Sequence, residues 1–158
     1  MRTLPFVLAL LLASPMLPAH EPSAAAAPAA DAMPAAAAEA VGVVDAFSDA
    51  LKAGRLDEVK ALLDPAVQVF EGGHVEAGRD AYFAEHAAAD ALFLASAEVT
   101  RESRTADASG DLAWVATRST IARDGKRHAS IETMVLRRGK DGWKIVHIHW
   151  SSRALPAD

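Results

Sequence analysis

Apolar residues recur at helical spacing between residues 40 and 53. Val41, Val44, Phe47, Ala50 and Leu51 fall on one side, and Gly54 follows as a stop. Leu56, Val59, Leu62 and Leu63 repeat the pattern over a shorter helix. Asp64-Pro65 should end it, because proline has no N–H to donate and restricts the residue before it. Val67, Val69 and Phe70 then read as a strand running up to Gly72-Gly73, with His74-Val75-Glu76 as a brief strand that pairs back. A third helix is expected from Gly78-Arg79-Asp80 through Tyr82, Phe83 and His86 towards Ala89.

Beyond residue 97 the period changes to two. Residues 97–105, 112–122, 128–138 and 142–153 alternate, separated by turns at Ser109-Gly110-Asp111, Asp124-Gly125 and Lys140-Asp141-Gly142. Helices first and then a long antiparallel meander describe an α+β domain with its helices packed on one face of a sheet. In the last strand Ile148 and Trp150 share one face, while His147 and His149 share the other. A face carrying only His, His and Ser is not that of a plainly solvated strand.

The ends read differently. Met1-Arg2-Thr3 precedes an apolar run over residues 4–13, shorter than the ~20 apolar residues a membrane span needs and suited to a signal-peptide core. Residues 1–22 are expected to be a signal peptide, with an uncleaved anchor as the alternative, and the mature protein to be periplasmic or secreted. Residues 23–38 are almost entirely Ala and Pro, a flexible tether ahead of a domain at 39–154. The tether inflates the hydrophobic fraction of 51%. The chain contains no Cys, so neither disulfides nor a lipid-modified cysteine are available to it. A formal charge of −5 with scattered Lys and Arg argues against nucleic-acid binding.

Phe70-Glu71, Val75-Glu76, Glu132-Thr133 and above all Trp143-Lys144-Ile145-Val146-His147-Ile148-His149, in this order of elements, resemble the nuclear transport factor 2-like superfamily and its SnoaL-like branch. The stretch is also similar to the association domain of calcium/calmodulin-dependent kinase II. The resemblance implies a cone-shaped single domain, with three helices of the N-terminal half packed on a strongly curved, mainly antiparallel sheet. It also implies a pocket inside the cone and a homodimer formed through the outer sheet face. The association domain lines its pocket with one His and several Arg. The His position carries Tyr82 here, two of the Arg positions carry Met134 and Trp150, and a third falls near Arg118.

Alternation sorts the candidate chemistry. Val146, Ile148 and Trp150 share a face, as do Glu132, Met134 and Leu136, and Trp114, Ala116, Arg118 and Thr120. If these are inner faces, Glu132 and Arg118 are charges in an apolar cup, either acting on a ligand or paired with each other. Tyr82 and His86 lie four apart on one helix side, with Asp90 a turn further on, and could polarise a carbonyl or move a proton. Glu71 follows an apolar strand and can point inward.

The candidate catalytic set is therefore Glu132, His86 and Tyr82. The ligand-binding set is Glu71, Trp114, Arg118, Met134, Ile148 and Trp150. His147 and His149 are assigned to a dimer interface rather than to a metal, since zinc takes three or four protein ligands. No cofactor is expected. The functional expectation is an exported protein that binds a small molecule in the cone. The alternatives are an isomerase, cyclase or dehydratase using acid–base chemistry, and a non-catalytic dimerisation module.

Overall fold

The computed structural model describes residues 33–156, so the expected signal peptide and the tether up to residue 32 lie outside the described residues. Four helices and six strands follow in the order α1 (Ala35–Lys52), α2 (Leu56–Leu62), β1 (Leu63–Glu71), β2 (His74–Ala77), α3 (Arg79–Glu85), α4 (Ala87–Ala95), β3 (Glu98–Ser109), β4 (Leu112–Arg123), β5 (Lys126–Gly139) and β6 (Gly142–Ala154). The strands form one sheet in the order β2-β1-β6-β5-β4-β3. All neighbours are antiparallel except β1 and β6, which run parallel.

The first helix begins earlier than its large apolar residues suggest. Ala37 and Ala40 are fully buried, so the alanines just before Val41 pack on the sheet instead of belonging to a tether. Pro34 starts the helix, its carbonyl accepting the Ala38 N–H at 2.9 Å. The helix ends at Leu62, three residues ahead of Pro65, and the strand has already begun at Leu63. The β1–β6 register shifts between Leu63 and Gln68, the interval that holds the proline, which cannot donate to a ladder.

The expected third helix is two. It breaks at His86, whose φ of −123° and ψ of −34° redirect the chain into α4. Among the described residues the helices thus number four, not three. Tyr82, Ala87 and Ala91 are buried across the break, so packing of both segments holds the bend without a Gly or Pro to mark it.

The β4–β5 turn is a two-residue hairpin in which Asp124 and Gly125 both have positive φ, 51° and 72°, the geometry whose twist matches its strands. The core joins Val44, Phe47 and Leu51 of α1 to Val67 and Val69 of β1, Met134 and Leu136 of β5, and Ile145 and Ile148 of β6. Each such side chain contributes about 1.5–3 kcal/mol on full burial. The inner face does not stay apolar along its whole length. On β4 it changes from Ala113 and Val115 to Thr117 and Ser119, and on β5 from Leu136 and Met134 to Glu132. That boundary positions the site.

Candidate functional site

The boundary is a single cross-strand row. Glu71 of β1 sits opposite Trp150 of β6, Trp150 opposite Glu132 of β5, Glu132 opposite Thr117 of β4, and Thr117 opposite Arg104 of β3. A β-bulge puts Glu132 in the row: the β5–β6 register shifts between Val135 and Leu136, so that Val146 is skipped in the pairing. Trp143 and Ile145 on one side of the bulge and Ile148 and Trp150 on the other can then all face inward.

All five row residues line a cavity of about 1190 Å³ between the sheet and the helices, whose wall also includes Phe47, Leu94, Val99 and Ile121. The row is bonded along its length. Trp150 Nε1 donates to Glu132 Oε2 at 2.8 Å. Arg104 Nε donates to Thr117 Oγ1 at 3.0 Å, and its Nη1 meets Asp45 Oδ1 of α1 at 2.5 Å. Phe47 and Tyr82 pack near Trp150, with ring centroids 6.3 and 6.2 Å away.

Burial dominates the electrostatics. It raises the Glu132 carboxyl above the ordinary carboxylate range; the Trp150 N–H and the Arg104 charge oppose the shift, and Asp45 adds to it. Glu71 is also raised, by burial and then by the nearby charges of Asp90 and Glu76, with His86 and His74 opposing. Asp90 is raised by burial against the hydrogen bond that Tyr82 Oη donates to its Oδ2 at 2.9 Å. Tyr82 is pushed far up by burial and by Asp90, so its phenol stays protonated. Among the described residues no group of three or more His, Asp or Glu is arranged to hold a metal ion.

The residues expected from sequence separate into three groups. Glu132, Trp150 and Glu71 come together on the cavity wall. Met134 and Ile148 lie on the inner face but are fully buried in the core beneath it. Tyr82 is also fully buried, its hydroxyl committed to Asp90, while His86 lies off the cavity with its Nδ1 against the Glu76 carboxylate. Neither residue is among those that line the cavity.

Trp114 and Arg118 are expected on the inner face and lie on the outer one. Trp114 is 41% exposed, and Arg118 pairs with Glu102 at 2.8 Å rather than with Glu132. The reason is register: Thr117 is the residue opposite Glu132, so the inner set on β4 is Ala113, Val115, Thr117 and Ser119. His147 and His149 occupy the outer face, with the Phe70 ring edge-on to both at 5.0 and 6.4 Å. Burial and its neighbour His149 push His147 below the ordinary histidine range.

Sequence reading missed Arg104, Asp45 and Thr117. Arg104 lies in a run of exposed polar residues in which nothing sets it apart. Asp45 could have been found, because it lies on α1 one residue after Val44 and two before Phe47, at the edge of the buried face.

Comparison with known proteins agrees with this architecture. Residues 41–156 match the model of the SnoaL-like domain. A crystal structure of a candidate ketosteroid isomerase from Shewanella frigidimarina is 32% identical with a TM-score of 0.71, covering 76% of this chain and 100% of the other. The calcium/calmodulin-dependent kinase II hub of S. rosetta is 26% identical, with a TM-score of 0.60 over 74% of this chain and 96% of that one. A candidate dehydratase of the nuclear transport factor 2-like family from Streptomyces avermitilis shares the fold at 22% identity and a TM-score of 0.59, covering 74% and 95%. No curated protein sequence matches the chain. The family model and the cone of helices on a six-stranded curved sheet together place this chain in the SnoaL-like family, on the nuclear transport factor 2-like fold.

Proposed function

We propose that the cavity binds a small, partly apolar molecule and that Glu132 moves a proton on it, in a reaction of the isomerase or dehydratase type. The observation that carries this is Glu132 itself, a half-buried acid on a cavity wall with a raised pKa and an indole N–H fixing one of its oxygens. A raised pKa makes its carboxylate a stronger base. Trp150 binds Oε2 and leaves Oε1 for the ligand. Phe47, Trp150 and Leu94 supply apolar wall, as small-molecule sites require. The likeness to a candidate ketosteroid isomerase along that chain's full length supports proton transfer next to a carbonyl as the reaction class.

The test is NMR-detected exchange of α-protons in D₂O across a panel of unsaturated ketones. Wild-type protein is expected to accelerate exchange of at least one, with the rate falling as pH drops through the raised Glu132 pKa, and Glu132→Gln is expected to abolish it while the fold persists. A Glu132→Gln rate equal to wild type would contradict the assignment. A second reading, binding without turnover, is favoured by the commitment of the Tyr82 hydroxyl to Asp90, which removes the donor expected to polarise a carbonyl. Ketones that bind wild type and Glu132→Gln alike, with no exchange in either, would select it.

The outer sheet face supports a homodimer as part of the same proposal. Trp114, Ile131 and Phe70 leave 41, 54 and 37% of their surface exposed around His147 and His149. Export directed by residues 1–22 completes it, and fractionation with N-terminal sequencing of the mature protein reads that directly.

A further inference from the structure

Two of the cations on the cavity wall, Arg101 and Arg104, stand together. Their guanidinium groups share one carboxylate oxygen: Arg101 Nη1 lies 3.1 Å and Arg104 Nη1 2.5 Å from Asp45 Oδ1. The wall also carries Lys52 and the carboxylates of Asp49, Glu71, Asp90 and Glu132. Two guanidinium groups thus meet a single carboxylate at this end of the cavity. Arg104 is the better placed of the two arginines. Its side chain is only 12% exposed, against 53% for Arg101, and Thr117 fixes its plane through Nε. An arginine held by one edge keeps N–H groups of its fork for an acceptor, and such bonds to an anion are about twice as strong as neutral ones.

We propose that Arg104 and Thr117 form an anion subsite, so that the ligand is an amphipathic monoanion whose acid group binds Arg104 in place of Asp45 while its apolar body lies along Trp150 towards Glu132. The proposal rests on the cavity being a ligand site. Arg104 is not among the positions that match the pocket of the association domain, which are Tyr82, Met134, Trp150 and one near Arg118. Asp45 acts as the internal counter-ion: it satisfies Arg104 when the cavity is empty and competes with the ligand when it is not. Its half-exposed position at the α1 edge lets it turn to solvent and stay with Arg101.

The experiment compares 2-naphthoate with the neutral, equally shaped 2-naphthamide, by calorimetry and tryptophan quenching at low salt. The measurements use wild type, Arg104→Gln and Asp45→Asn. The acid is expected to bind wild type at least about tenfold more tightly than the amide, a preference that 0.5 M salt reduces. Arg104→Gln is expected to erase the preference by weakening the acid alone. Asp45→Asn, which removes the competitor, is expected to tighten the acid several-fold and leave the amide unchanged. Should Arg104→Gln not fold, the gain in Asp45→Asn carries the test. Equal binding of acid and amide, or acid affinity unmoved in Asp45→Asn, would overturn the anion subsite and leave the cavity reading intact. Failure of both probes to bind any variant would overturn both.

Discussion

Replacing Trp150 with Phe isolates the contact that defines the site. The substitution removes the N–H that Glu132 Oε2 accepts at 2.8 Å and trims a ring packed near Phe47 and Tyr82. The lost packing costs the same at any pH, while the lost hydrogen bond does not. A bond to a charged acceptor is worth about 1.5–3 kcal/mol and one to a neutral acceptor about 0.5–1.5, so the pH-dependent part is about 1 kcal/mol.

Linkage gives the sign. The folded-state pKa of Glu132 is raised, so its favourable contribution is fully present below the unfolded value and is lost as pH climbs to the folded one. The Trp150 bond opposes that rise, so removing it lifts the folded value further and deepens the loss at high pH. Urea denaturation followed by circular dichroism at about pH 4 and about pH 9 reads the difference. Trp150→Phe should be destabilised at both, by about 1 kcal/mol more at the higher pH. An equal penalty at the two, or a larger one in acid, would refute the reasoning.

Three further outcomes are expected. Tyr82→Phe leaves the partly buried Asp90 carboxylate without its donor, raising an already elevated pKa and costing about 1–3 kcal/mol at neutral pH with less in acid; a urea midpoint equal to wild type at neutral pH would contradict this. Gly78 has a φ of 120°, which L side chains rarely adopt, while a Cβ there would lie 3.5 Å from the Pro65 carbonyl, an ordinary contact. Gly78→Ala should therefore cost about 1–3 kcal/mol through the backbone alone, and an unshifted urea midpoint would show that the turn can relax. Ile131→Glu on the outer sheet face should convert a dimer into a folded monomer in light scattering, and an unchanged mass would remove that face as the interface.

The strands and their turns were legible because alternation and Gly-Asp punctuation are local. The faces were less so. The hairpin at Asp124-Gly125 already fixes the β4–β5 register, and counting back from it places Thr117, not Arg118, opposite Glu132. Taking the face of Trp114, Ala116, Arg118 and Thr120 as the inner one chose the wrong side of β4, since alternation alone does not say which face meets the core and cross-strand pairing does. On β6 the parity of the large apolar residues changes between Ile145 and Ile148, which is the mark of the bulge that brings Trp150 beside Glu132. The break at His86 left no such mark, because it is held by the burial of Tyr82, Ala87 and Ala91 against distant elements. The Arg104–Asp45 pair joins residues 59 apart, and no local pattern announces it.

The measurement that bears most directly on the central claim is a crystal structure of residues 33–158 soaked with a fused-ring unsaturated ketone. The account places the ligand in the cavity against Phe47 and Trp150, with its α-carbon or carbonyl oxygen within hydrogen-bonding reach of Glu132 and the Trp150–Glu132 bond intact. A cavity that stays empty at saturating ketone, or a ligand seated away from Glu132, would contradict it.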